Sequence, residues 1–189
     1  MRLSERRRDL NMNKAVMQIM NDRETPMLKR VESLETAMLK LPQSEIPVRN
    51  FEGDNIYARE IEVPAGTFLT GGLHKYDHIS ILVKGKLLYW TLDDDEASIL
   101  NGYSVNITKA GTKRVVYVLE DSIWITSHHV PGNDRTAEDA RAYLTAVSYE
   151  EYVKFKEENS STFEGVSSRE TDEVGLPENG LLSAPSRDV

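Results

Sequence analysis

The chain has 189 residues, 39% of them hydrophobic, and a formal net charge of −8. That is enough apolar content for one sizeable core, and the negative balance argues against broad contact with nucleic acid, which needs cationic surface to displace counterions. With no cysteine there are no disulfides, thiolate metal sites or cysteine nucleophiles, and with no apolar run of bilayer length neither a membrane anchor nor a secretion signal is expected. The charge is uneven: residues 1–40 carry nine Lys/Arg against six Asp/Glu, residues 157–189 two against eight. The basic run Arg6-Arg7-Arg8 reads as a solvated end, and Met12 is a second candidate start that would remove it.

From the N-terminus, Leu10, Met17, Met20, Met27, Val31, Leu34, Met38 and Leu41 fall on a 3-4 alternation, broken by Asn13 and Glu24. Thr25-Pro26 is a cap and first-turn pair, so the pattern predicts two helices, about 4–21 and 26–41. The second carries the cleaner stripe. Met27, Val31, Leu34, Met38 and Leu41 are accordingly expected to form an oligomerisation seam, as a dimer or trimer, the alternative being that the stripe packs on the chain's own β-domain.

From Ile46 the period changes to two, and turn signals recur about every ten residues: Pro64-Ala65-Gly66, Gly71-Gly72, Gly85, Asp93-Asp94-Asp95, Asn101-Gly102, Ala110-Gly111 and Glu120-Asp121. Strands are predicted at 46–51, 56–63, 67–70, 77–84, 86–92, 96–100, 103–108, 114–119 and 122–130, an antiparallel sandwich or barrel. Within it Gly85 should turn a hairpin between Leu82 and Leu88, and the acidic run Asp93 to Glu96 lacks the ligand spacing of a calcium loop and reads as a solvated turn. Tyr76, Tyr89, Trp90, Tyr117 and Trp124 are candidates for a sugar pocket, with core packing the weightier reading. After Pro131-Gly132 the helical period returns: Thr136 to Ala146, then a helix capped by Ser148 with Glu151 and running to about Glu157. Past Asn159 the chain is rich in Ser, Glu, Gly and Pro, and is expected to be disordered or an extended arm, with Leu176, Leu181 and Leu182 as its anchors. The organisation expected is a helical segment at 1–44, a β-barrel at 45–132, short packed helices at 133–158 and an acidic tail at 159–189.

The segment Pro64 to Gly85 resembles the first sequence motif of the cupins. Gly66 and Gly85 stand at the framing glycines, His74 at the second histidine, Gly72 at the first histidine and His78 at the glutamate. Lys109-Ala110-Gly111 with Arg114 resembles the second motif, Arg114 standing at the ligand position. The fold implied is mainly β, a cupin-type antiparallel jelly-roll barrel. Three of four liganding positions are changed, and a guanidinium cannot ligate a cation, so the resemblance implies no cofactor. The alternative is a divalent metal in a rearranged site of His74, His78 and one of the pair His128-His129, with His128 the candidate third ligand; these are the chain's only histidines. At a strand end before Pro131, that pair is otherwise expected to be exposed. The candidate pocket residues are His74, His78, Arg114, Tyr76 and Trp124, with no catalytic residue assigned.

Leu41 to Arg49, Tyr57-Ala58-Arg59-Glu60-Ile61, His74-Lys75 and Glu120 to Trp124 also resemble small cupin-like proteins of tailed bacteriophages and prophages. That resemblance implies a non-enzymatic, oligomeric attachment or virion-associated protein. Its partner would be another phage structural protein, and its setting the host cytoplasm with the virion as a further destination. The alternative expectation is a metal-dependent cupin enzyme or a binder of a sugar, nucleotide or other small molecule, in which Arg114 contacts an anionic group.

Overall fold

A computed structural model describes residues 14–40, 43–132 and 136–159. The basic run at Arg6, the seam residue Leu41 and the whole tail expectation lie outside the described residues.

Two long antiparallel strands form the spine: β5 (His78–Thr91) and β8 (Arg114–His129). Each changes neighbour midway. β2 (Ile56–Val63) pairs the C-terminal half of β8 and β3 (Phe68–Thr70) its N-terminal half. β7 (Ser104–Thr108) pairs the first half of β5 and β6 (Asp94–Asn101) the second. With β1 (Val48–Gly53) on β2, the path is β1-β2-β8-β5-β6, with β3 and β7 branching from it. The fold is thus mainly β and antiparallel, as expected, and jelly-roll-like. Among the described residues the hydrogen bonding does not close into a ring.

The change of neighbour corrects two predicted turns. Gly85 does not reverse the chain, and Glu120-Asp121 lies inside a continuous strand. Instead the β5–β8 register slips between Leu82 and Leu87, and the strands touch there. Gly85 has φ of 103°, and a Cβ on it would lie 2.1 Å from Ser122 Oγ and 2.7 Å from Ser122 Cα. Only glycine supplies both that backbone angle and that clearance.

Beyond the kink, side-chain alternation sorts β5 and β8 into two faces. Leu87, Val116 and Val118 point inward and join Val63 and Leu82. Trp90 and Val115 point outward, with Leu88 and Tyr117 beside them, and are covered by the helices: Val16 and Met20 from the helical turns at 14–21 (α1), Met27, Val31 and Leu34 from α2 (Met27–Met38). The expected seam is therefore corrected. Met27, Val31 and Leu34 are buried against the chain's own sheet, with Met38 packed beside them. An apolar stripe gains as much free energy from its own sheet as from a second copy, without the entropy cost of association. Arg30, 2% exposed, locks this corner: its guanidinium donates to Met20 O and Thr25 O (both 2.8 Å) and pairs with Asp95. The acidic turn is thus a tether for a buried cation rather than only a solvated loop.

After β8, Thr136 and Asp139 form a reciprocal capping box that starts α3 (Ala137–Leu144). The predicted helix ends at Leu144 rather than at Ala146, because Thr145–Ala146 (β9) pairs instead with Leu73–His74 (β4). Ser148 caps α4 (Tyr149–Glu158) by accepting from Glu151 N, while Glu151 accepts from Val147 N. Tyr152 of α4 rests on Gly111, and Glu151 pairs with Lys75 at 3.2 Å. The C-terminal elements thereby clamp the turns that carry the histidines. No helix among the described residues is long and apolar enough to cross a membrane.

Candidate functional site

β4, the start of β5 and the end of β8 bring His74, His78 and His128 together. The register fixes two of them: Ile79 pairs Ser127, so His78 and His128 stand opposite one another one step further on, and Tyr57 pairs His128 from the other side. His74 is returned to the same spot by the turn at Lys75-Tyr76-Asp77. That turn is held by Lys75 N donating to Leu144 O, by Gly111 N donating to His74 O, and by Asp77, which accepts from Ala110 N and Lys109 Nζ. Ring centroids are 4.2 Å apart for His74–His78, 4.5 Å for His78–His128 and 4.9 Å for His74–His128. One ligating nitrogen from each ring lies within 4.8 Å of the other two.

The cluster is electrostatically unusual. Burial drives His74 down to about 3, aided by His78, His128, Arg114 and Arg59. Burial likewise takes His128 to about 3, with His78 adding to it. It takes His78 to about 4, where the Tyr76 carbonyl and Asp77 oppose the shift and Arg114 deepens it. All three rings are neutral at pH 7 with lone pairs available, the state a metal requires. His74 Nδ1 and His128 Nδ1 are buried with no hydrogen-bond partner, and so is Oγ1 of Thr108, another residue that lines the cavity. Buried polar atoms are normally satisfied, and these three, on residues that line one cavity, are not. Two nitrogens on a tetrahedral zinc stand about 3.3 Å apart, so ring rotations moving each donor by about an ångström or less seat an ion. The residues present fit a divalent metal.

The histidines line one part of a cavity of about 600 Å³, within the range of small-molecule sites. Tyr57, Arg59 and Ile61 of β2, Trp124 and Thr126 of β8, Arg114 at the start of β8, and Arg141 and Leu144 of α3 complete its walls. Trp124 Nε1 donates to Ser80 Oγ at 2.6 Å. The Arg114 guanidinium lies 5.6 Å from the Tyr89 ring and 5.8 Å from the Trp124 ring, a cation–π pairing that holds it in place. At Gly72 a Cβ would lie 3.3 Å from Thr145 Cγ2, so β9 packs closely over this position.

Of the predicted pocket residues, His74, His78, Arg114 and Trp124 line the cavity together. Tyr76 does not: it stacks on Tyr143 (centroids 5.1 Å apart) and meets Phe155 edge-on, bridging α3 and α4. Trp90 is core. The expected exposure of the histidine pair is right for His129 only; His128 is 4% exposed because its alternation phase points inward. Arg59 and Arg141 were not singled out in the sequence. Arg59 carried a signal, a charge in phase with the buried Tyr57 and Val63, which the apolar set Ile56, Ala58, Ile61 and Val63 obscured by mixing the two faces; Ile56 is in fact exposed. Arg141 carried none, as a cation in the last turn of a helix is ordinary.

No protein-family model matches the chain, and no curated protein matches it. Among solved structures it is similar to KdgF from Halomonas sp., at 18% identity and a TM-score of 0.40, over 49% of this chain and 86% of that one. It is similar to a cupin-2 domain containing protein from Shewanella frigidimarina, at 12% identity and a TM-score of 0.38, over 51% and 92%. A third is an RmlC-like cupin family protein with a double-stranded β-helix fold from Methanocaldococcus jannaschii, at 12% identity and a TM-score of 0.39, over 46% and 82%.

Proposed function

We propose that the chain is a cupin-like small-molecule site built on a divalent metal held by His74, His78 and His128. The observation that carries this reading is the convergence of three neutral, buried imidazoles, two with an unsatisfied nitrogen, on one wall of the 600 Å³ cavity. A set of three imidazoles without thiolate or carboxylate suits zinc, iron, nickel or copper rather than magnesium or calcium. With three protein ligands, a metal held by His74, His78 and His128 would keep a coordination position for a small molecule and would supply Lewis acidity. The chain's own residues shape the rest: Trp124 and Tyr57 provide flat apolar wall, and the β4–β9 ribbon with α3 covers one side. The attachment reading drew its support from the Met27 to Leu41 stripe, and Met27, Val31 and Leu34 are spent on intramolecular packing.

The test is elemental analysis of the full chain, stripped with chelator and then dialysed separately against zinc, iron, nickel and manganese. About one equivalent of one of the first three is expected, lost in His78→Gln with the fold retained by circular dichroism. A metal-to-chain ratio near zero in every case would sink the reading.

A further inference from the structure

The cavity contains three arginines, Arg59, Arg114 and Arg141, and no aspartate or glutamate among its lining residues. None of the three makes an ion pair with a described residue. Arg59 and Arg114 are half-buried, and Arg141 stands exposed at the rim. Unpaired cations withdrawn from water are costly, and the cost is tolerated where a partner arrives later. The neighbouring carboxylates are occupied elsewhere: Glu60 pairs with Arg49 on the opposite face of β2, Asp77 with Lys109, and Glu151 with Lys75. The molecule as a whole is acidic, which makes a cavity lined by cations alone a local inversion of the overall charge.

The positions matter as much as the charge. Arg59 and Arg114 both act electrostatically on His74, so the histidine cluster sits within reach of both fields. Arg59 and Arg141 both line the cavity, and the charge of Arg141 acts on Arg59. Arg114 lies against the Tyr89 and Trp124 rings. Guanidinium groups bind carboxylates and phosphates bidentately through a fixed fork of donors. Two cationic stations flanking a metal wall, with an aromatic face beside one of them, suit a compact organic molecule with two anionic groups.

We propose that Arg59, Arg114 and Arg141 form an anion-recognition subsite that selects small organic dianions, one anionic group on Arg114 and the other on the Arg59–Arg141 pair. This deepens the reading of the cavity as a ligand site and rests on that part of it, not on the metal. Carboxylate and phosphate share the chemistry, and the test separates them.

The experiment uses the full chain, apo and metal-loaded, with succinate, malonate and citrate as carboxylate probes, inorganic phosphate and glycerol 3-phosphate as phosphate probes, and succinamide as the neutral control. Thermal shift and calorimetry read binding. At least one dianion is expected to bind and raise Tm, with succinamide inert; whichever set binds names the source. Arg114→Met should weaken that binding tenfold or more and leave metal stoichiometry unchanged. Arg114→Lys, which keeps the charge without the fork, should recover part of the affinity. Metal uptake without any response to the dianions overturns the subsite and leaves the metal reading intact. A dianion response without metal uptake supports the subsite and removes the metal. Equal responses to succinate and succinamide also overturn it.

Discussion

Acid should unfold the metal-free protein in a window where its carboxylates are still ionised, and the histidine cluster sets that window. In the unfolded chain each imidazole titrates near 6.5, whereas in the fold His74 and His128 are held at about 3 and His78 at about 4. The unfolded state therefore binds more protons between these values, so stability is full above pH 6.5 and is lost as pH falls through the window. From pH 7 to pH 5.5 each ring contributes a loss of about 1.2 kcal/mol, or about 3.5 kcal/mol for three independent rings. Residual solvent access near the rings lowers that sum, so about 2.5–3.5 kcal/mol is expected. The groups facing the cluster do not reverse the sign: Asp77 opposes the shift at His78, while Arg59 and Arg114 reinforce the shift at His74 and stay charged throughout. Urea unfolding in chelator at the two pH values measures the difference directly, and His128→Phe should remove about a third of it. A stability that changes by less than about 1 kcal/mol across that interval refutes the claim that the rings are buried and neutral.

Arg30→Leu should cost about 2–4 kcal/mol, because Met20 O and Thr25 O lose their donor in a buried corner, whereas Asp95→Asn, on a half-exposed partner, should cost under about 1 kcal/mol; chemical denaturation of the two variants gives the contrast. Gly85→Ala should destabilise by about 4 kcal/mol or prevent folding, since its Cβ collides with the Ser122 backbone. Gly102→Ala, at φ 65° with open space around it, should cost about 1 kcal/mol by the same measurement. Ser80→Ala should cost about 1–2 kcal/mol by leaving the Trp124 indole N–H without its acceptor, and should red- or blue-shift the tryptophan fluorescence.

What was legible in the chain follows from how local each determinant is. His74 and His78 are placed by a turn of three residues and a strand start, so a spacing motif locates them. His128 needs the β5–β8 register, a pairing across some fifty positions, and the strand end before Pro131 points misleadingly to exposure. Gly85 shows the limit of turn signals: a glycine at positive φ serves a reversal or a kink equally, and the choice lies with Ser122, 37 positions on, which the kinked strand must clear. The Met27 stripe announces an apolar face without naming what covers it, and Trp90 and Val115 acquire an outward apolar face only once the two strands are continuous. Arg59 was readable in principle, since a cation in the inward phase of a strand is costly unless it has a use.

The charges of the cavity make metal and anion interdependent. With the imidazoles neutral, Arg59, Arg114 and Arg141 contribute three positive charges around one space, and a divalent ion raises the sum to five with no lining carboxylate to offset it. Two unit charges about 6 Å apart repel by about 3 kcal/mol at an effective dielectric near 20, so such pairs weaken the ion's binding, without abolishing uptake from excess metal, when the arginines hold no anion. A dianion on the arginines relieves that repulsion, and the relief must be the same whichever partner binds first. The affinity of the stripped protein for zinc should therefore rise at least tenfold in saturating succinate, after correction for free complexation, and succinate affinity should rise by the same factor in saturating zinc. Titration calorimetry in both orders measures the two ratios. If zinc binds with equal strength in the presence and absence of the dianion, the arginines and the histidines do not serve one site.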